Sequence, residues 1–215
     1  MPRAHFVAVE TWVFDLDNTL YSPRFRLFDQ IERRMTAFVS ETLGVDTERA
    51  SELRAAYWRE YGTTLAGLMA EHGVAPGPYL AAVHDIDLSG MAPAPDLATA
   101  IARLPGRKVV FTNGSREHAR RVTAALGISG AFDALYGVED AGYLPKPREA
   151  AYARVFGAEG LDPRRAAMFE DDPRNLEAPH RLGMRTVLVG AVTGEAPAHV
   201  HHRTDDLAGF LARLF

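Results

Sequence analysis

Short apolar runs rich in β-branched and aromatic residues alternate with helical patterns along most of this chain, and that alternation leaves few architectures open. The runs are Thr11 to Phe14, Lys108 to Thr112, Ala134 to Val138, Ala166 to Glu170 and Thr186 to Val189. Each has the length of a strand. Strands separated by helices pair in parallel, with helices on both faces of the sheet. The chain therefore reads as α/β with a parallel sheet core.

One stretch breaks the alternation. From Tyr21 to Pro95 the sequence shows helical patterns and no strand. Phe28, Ile31, Met35, Phe38, Val39 and Leu43 recur at helical spacing. Gly44 is a helix stop and Asp46 an N-cap for the next helix, whose apolar stripe includes Leu53, Ala56, Tyr57 and Tyr61. Shorter helices are expected near Thr63 to His72 and Pro78 to His84, and Ala92-Pro93-Ala94-Pro95 as a hinge back into the sheet. Residues 1–20 and 96–215 are thus expected to form the α/β core domain, with residues 21–95 an inserted helical domain.

Composition removes some function classes. The chain has 28 acidic and 24 basic side chains, net charge −4. A nucleic-acid partner calls for a basic excess or a dense basic patch. The pairs Arg33-Arg34, Arg120-Arg121 and Arg164-Arg165 are isolated and read as solvated helix faces. No apolar run has the length of a membrane span, and none follows the first basic residue as in a signal peptide. Cysteine is absent, which excludes disulfides and thiolate metal sites and fits a reducing cytoplasm. The expected partner is a small molecule, not a nucleic acid or a membrane.

Four places carry chemistry. Asp15-Leu16-Asp17-Asn18-Thr19 ends the first strand. Residues two apart in extended backbone share a face, so Asp15 and Asp17 point together while Leu16 points away. Two such carboxylates repel unless a cation sits beside them. Phe111-Thr112-Asn113-Gly114-Ser115 follows the second strand. Gly114 permits close backbone approach, Ser115 can cap the next helix, and Thr112 and Asn113 offer a hydroxyl and an amide to a phosphate oxygen. By itself this is also an ordinary turn. Lys146 stands between Pro145 and Pro147, displayed from a stiff loop as a point-charge partner for phosphate or as a solvated side chain. Glu170-Asp171-Asp172-Pro173 ends the fourth run. Pro173 suits a first helical position with Asp172 as N-cap. Asp171 is left as a hard oxygen ligand that, with Asp15, suits magnesium. Ligands of open α/β sheets gather at the carboxyl ends of strands, where all four segments lie.

In order and spacing these segments resemble the haloacid dehalogenase superfamily over nearly the whole chain. Asp15, Asp17 and Thr19 match its Asp-x-Asp-x-Thr motif, Thr112 its second, Lys146 its third and Asp171 its acidic fourth. The segments Phe14 to Tyr21, Phe111 to Gly114, and Glu170-Asp171 followed by Asn175-Leu176 resemble the pyrimidine 5′-nucleotidase branch more narrowly. The resemblance implies a Rossmann-like parallel sheet core with an inserted helical cap domain. It implies a Mg2+-dependent phosphomonoester hydrolase in which Asp15 is the nucleophile and Asp17 the general acid and base. Magnesium would be held by Asp15, the Asp17 carbonyl and Asp171, and phosphate by Thr112, Asn113 and Lys146. The implied substrates are pyrimidine nucleoside 5′-monophosphates. A sugar-phosphate phosphatase or phosphomutase fits the same motifs. A dehalogenase has no need of Asp17 or a metal, and a non-catalytic phosphate-binding module has no need of both aspartates.

Other residues stay ambiguous. His199, His201 and His202 are metal ligands by type but read as loop or edge strand. Trp12 and Trp58 are expected in the core. Tyr21, Phe25 and Phe28 either stack on a nucleobase or pack the helical segment. Arg24, Arg26 and Arg116 have no assigned role, and Pro179 is expected to kink or split the helix after Asp171.

Overall fold

The computed structural model describes residues 2–191 and 194–215. Six strands form one sheet: β1 Thr11–Phe14, β2 Arg107–Phe111, β3 Ala134–Tyr136, β4 Ala166–Glu170, β5 Arg185–Val189 and β6 His202–Thr204. The spatial order is β3-β2-β1-β4-β5-β6 and every pairing is parallel. β1 is central, with Trp12 opposite Lys108 on one side and Ala167 on the other. Chain direction across the sheet reverses between β1 and β4, so a crevice opens beyond their carboxyl ends.

The helices are α1 Leu27–Leu43, α2 Thr47–Tyr61, α3 Thr64–His72, α4 Pro76–Val83, α5 Pro95–Ala102, α6 Arg116–Ala125, α7 Glu149–Glu159, α8 Glu177–Arg181 and α9 Leu207–Ala212. The strands bury both faces, with side chains alternating between two cores. Trp12, Phe14, Val110, Ala167, Phe169 and Val187 pack with residues of α5, α6 and α9. Val13, Val109, Phe111, Met168 and Leu188 pack with residues of α7 and α8. Phe14 stacks on Phe169 with ring centroids 4.7 Å apart, and the Trp12 indole N–H donates to the Pro105 carbonyl. Each such large apolar side chain contributes about 1.5–3 kcal/mol when fully buried.

The helices between β1 and β2 build a third core from Val39, Tyr57, Leu68, Tyr79 and Val83. Gly67 lets α3 lie directly on α2: a Cβ there would sit 2.3 Å from the Tyr57 ring. The start of α1 belongs elsewhere, since Leu27 and Ile31 join the first core with Ile86 and Met91. No helix among the described residues is long and apolar enough to cross a membrane.

Several sequence expectations shift. β3 ends at Tyr136 rather than Val138, and α4 starts at Pro76, two residues early. Pro95 opens α5 instead of lying in a free hinge, as a proline can at a first helical position. β6 escapes the sequence reading because three residues, His202-Arg203-Thr204, carry no apolar pattern. The segment after β4 is split as Pro179 requires: a 3-10 turn, Pro173–Leu176, precedes the short α8. Pro179 has no N–H for the Asn175 carbonyl, and the Tyr152 hydroxyl donates to that carbonyl instead, at 2.6 Å.

Trp12 is fully buried as expected, but Trp58 is not core. It is 49% exposed, with the Arg174 guanidinium 4.0 Å above its ring. Phe28 is 41% exposed. Both face a cavity, which is why apolar residues at helical spacing are left uncovered here. The histidines near β6 fasten their segment to the sheet side: His201 Nδ1 lies 2.7 Å from Thr186 Oγ1, and His199 Nε2 2.8 Å from the Pro173 carbonyl.

Candidate active site

A cavity of about 510 Å³ lies beyond the carboxyl ends of β1, β2 and β4. Asp15, Asp17, Thr112, Asn113, Lys146 and Asp171 all line it, together with Glu170, which the sequence reading did not single out. Its opposite wall comes from α1 to α4 and includes Phe28, Met35, Arg54, Trp58 and Tyr79.

Asp15 is held at the end of β1. Its N–H donates to the Phe169 carbonyl at 2.9 Å, extending the β1–β4 ladder by one residue. Leu16 is fully buried, so the turn is anchored from below. Asn18 takes a left-handed conformation, φ 62°, which asparagine tolerates better than most residues. This brings Thr19 back, and its hydroxyl donates to Asp15 Oδ2 at 3.1 Å. The other carboxylate oxygen accepts from Lys146 Nζ at 2.7 Å.

Lys146 is 1% exposed, so the solvated alternative does not apply. Its three N–H bonds go to Asp15 Oδ1, Glu170 Oε1 and the Phe111 carbonyl. Burial alone would lower its pKa, but Asp15 and Glu170 hold it above the ordinary lysine value. Asn113 differs from expectation. Its amide N–H donates to the Lys146 carbonyl, and its amide oxygen accepts from the Lys146 N–H at 2.8 Å. The amide oxygen and one of its two N–H groups are thus engaged on the Lys146 backbone, so Asn113 positions that loop while its second N–H stays unused at the cavity wall. Thr112 Oγ1 accepts from the Gly114 N–H at 2.9 Å and keeps its own proton to donate.

Three acids crowd this one ammonium. Asp15, Glu170 and Asp171 present oxygens within 4.8 Å of one another, a set that fits a divalent metal ion. Burial pushes the carboxyls of Asp15 and Asp171 upward, and Glu170 adds to it in both. Glu170 already accepts three hydrogen bonds, from Lys146, from the Asn175 amide and from the Asp172 N–H. Asp15 and Asp171 are therefore the better donors to a metal. Asp172 takes the N-cap role expected of it, accepting from the Arg174 N–H and pairing with the Arg174 side chain.

Asp17 lies apart from that acid group. Its Oδ1 accepts from the Tyr21 hydroxyl at 2.6 Å and faces His118 Nε2 at 2.8 Å. Burial would raise its pKa, but His118 and then Tyr21 outweigh this and bring it to about 2. Tyr21 thus serves Asp17 rather than a nucleobase. His118 is fully buried and stacks on His84, with centroids 4.4 Å apart and planes 15° from parallel. His84 sits at the end of α4, and burial with the neighbouring His118 lowers its pKa to about 3. Gly114 leaves room for this pair, since a Cβ there would meet His118 Cδ2 at 3.1 Å and His84 Nε2 at 3.3 Å. Sequence reasoning missed Glu170, His84 and His118. Glu170 stood in the acidic run that ends the fourth strand without being given a role, and His118 lies three residues after the helix-capping Ser115, but its partner Asp17 is 101 residues away.

Comparison with known proteins follows the same lines. Residues 9–183 match the family model for haloacid dehalogenase-like hydrolases. Phosphate metabolism protein 8 of Saccharomyces cerevisiae is 25% identical over 198 residues, covering 84% of this chain and 61% of that protein. This chain therefore spans under two thirds of that relative's length. CbbY from Rhodobacter sphaeroides, solved in complex with phosphate, has a TM-score of 0.64 at 19% identity, covering 96% of each chain. The 2-haloacid dehalogenase of Pseudomonas syringae pv. Tomato DC3000 has a TM-score of 0.61 at 18% identity, covering 96% of this chain and all of that one. At these identities the structural likeness speaks for the fold.

Proposed function

This chain belongs to the haloacid dehalogenase-like hydrolases, and on that footing we propose that it is a magnesium-dependent phosphomonoester hydrolase working through an aspartyl-phosphate on Asp15. The observation that carries this reading is the second carboxylate. Asp17 lines the same cavity as Asp15, held by Tyr21 and His118 outside the acid group that fits a metal. Dehalogenation needs neither a second acid nor a metal-binding acid group; phosphoester cleavage uses both.

Asp15 attacks phosphorus, and Asp17 gives a proton to the leaving oxygen and takes one from the water that follows. Asp17 rests as the carboxylate, which suits the second step; the negative charge of an arriving phosphate favours the protonated form needed first. The Thr112 hydroxyl is free to donate to a phosphate oxygen, and Lys146, whose Nζ lies 2.7 Å from Asp15 Oδ1, places its positive charge beside the phosphate, while Asn113 fixes the Lys146 loop. Asp15, Asp171 and the Asp17 carbonyl would hold Mg2+, which when bound neutralises carboxylate and phosphate charge.

We take residues 1–20 and 96–215 as the catalytic domain and residues 21–95 as a lid that supplies the far wall and excludes water. The substrate reading is a pyrimidine nucleoside 5′-monophosphate. It is supported by the aromatic wall of Phe28, Trp58 and Tyr79 with Arg54 among them. A relative named for phosphate metabolism agrees with phosphate chemistry in general. Specificity constants with magnesium across nucleotides and sugar phosphates test it. A marked preference for sugar phosphates would remove the nucleotide reading and keep the phosphatase; turnover of none would remove both.

A further inference from the structure

We propose that His118, backed by His84, is a positioning residue that fixes which oxygen of Asp17 carries the transferred proton. The inference rests on the phosphoesterase reading above. Tyr21 and His118 both meet Asp17 at Oδ1, and Oδ2 has no hydrogen-bond partner among the described residues. An oxygen already accepting two hydrogen bonds is a poor place for a proton, so the carboxyl proton rides Oδ2. In the first step the Asp15 oxygen–phosphorus bond forms and the phosphorus–alcohol oxygen bond breaks. The proton on Asp17 Oδ2 passes to that alcohol oxygen, leaving Asp17 as carboxylate. In the second step water bonds to phosphorus, its proton returns to Oδ2, and Asp15 leaves as carboxylate.

The fixing depends on His118 not turning. Its ring is fully buried, and its Nδ1 has no hydrogen-bond partner among the described residues. Nε2 faces the Asp17 carboxylate oxygen at 2.8 Å, and a carboxylate oxygen only accepts, so the Nε2 proton is donated to Asp17. One ring face is covered by His84, 4.4 Å away. His84 is held in turn by Ser115. Ser115 Oγ accepts from the His118 main-chain N–H at 3.1 Å and lies 3.1 Å from His84 Nδ1. The Ser115 proton has no other acceptor among the described residues, so it is donated to Nδ1. The end of α4, in the lid, is thereby joined to the start of α6 and through it to Asp17.

The test compares first-step rates, read as pre-steady-state bursts, for 4-nitrophenyl phosphate and an unactivated alkyl ester such as uridine 5′-monophosphate. A nitrophenolate leaves with little protonation; an alkoxide requires it. His118→Phe keeps the stack on His84 and removes the donor. It should slow the alkyl ester by about tenfold or more, a part of the full acid contribution, with KM unchanged, and leave the nitrophenyl ester within about threefold of wild type. His118→Gln restores an N–H near Nε2 and should recover most of the loss. If the His118 variants do not fold, His84→Ala decides the matter, because it removes only the backing and should give the same selectivity at smaller size. Equal slowing of both esters, or no slowing, would overturn the role of His118 and keep the phosphatase. No turnover of either ester by the wild type would overturn both.

Discussion

At the scale of single residues the two aspartates of the first motif have different neighbours, and different losses follow from changing them. Asp15 shares Lys146 with Glu170, whereas Asp17 is held by Tyr21 and His118. Asp15→Asn should abolish turnover, since an amide cannot accept the phosphoryl group; residual burst phosphorylation of the variant would count against Asp15. Asp17→Asn should cost roughly 100- to 10,000-fold in turnover of an alkyl ester, the usual contribution of a general acid–base group. Measured kcat for both variants checks the pair. The neighbouring acids Asp171 and Asp172 should separate in the same way. Asp171→Asn should weaken magnesium binding, followed by calorimetric titration. Asp172→Ala should instead lower stability by about 1 kcal/mol as an N-cap is lost. The opposite result would reverse their assignment.

Among the elements, the junction of α4 and α6 has a consequence for acid stability. His84 ordinarily titrates near 6.5, and burial lowers its folded value to about 3. Between those values the unfolded chain binds a proton that the folded chain does not, so stability falls as pH drops below 6.5. From pH 6.5 to pH 5 the loss should be roughly 2 kcal/mol. Urea unfolding of wild type and His84→Phe at pH 7 and pH 5 measures it. The variant should lose about that much less than wild type on acidification; equal losses would mean His84 is not held neutral. The same junction shows how far local patterns reach. Ser115 as N-cap of α6 and Asp172 as N-cap after β4 were legible because a cap depends on residues two or three apart. Tyr152 donating to the carbonyl that Pro179 leaves free was not, because it joins α7 to the segment after β4.

For the whole molecule, the metal links catalysis to folding. A ligand that binds only the folded chain stabilises it by about 2.7 kcal/mol at a hundred times its dissociation constant. Magnesium should therefore raise the unfolding temperature of the wild type by several degrees, and Asp171→Asn should lack most of that rise. Exhaustive chelation should abolish turnover, and added magnesium should restore it; full activity in the chelated protein would remove the metal from the mechanism.

The alternation of the first five strands with helices, the chemistry-bearing residues after β1, β2 and β4, and the family were readable from the chain alone. They depend on periodicity and on motifs of a few residues, and the parallel sheet then brings its strand ends to one crevice whatever the loops contain. Tertiary structure decided what distant residues do to one another. It took Lys146 out of solvent and against two carboxylates, and turned the Asn113 amide onto the Lys146 backbone. It left Trp58, expected in a core, on a cavity wall, and set Phe28 on the same wall. It also stacked His84 on His118 behind Asp17. Side-chain spacing records the face a residue presents, but what meets that face is set by the packing of segments far apart in sequence, and a buried charge or imidazole takes its role from those partners.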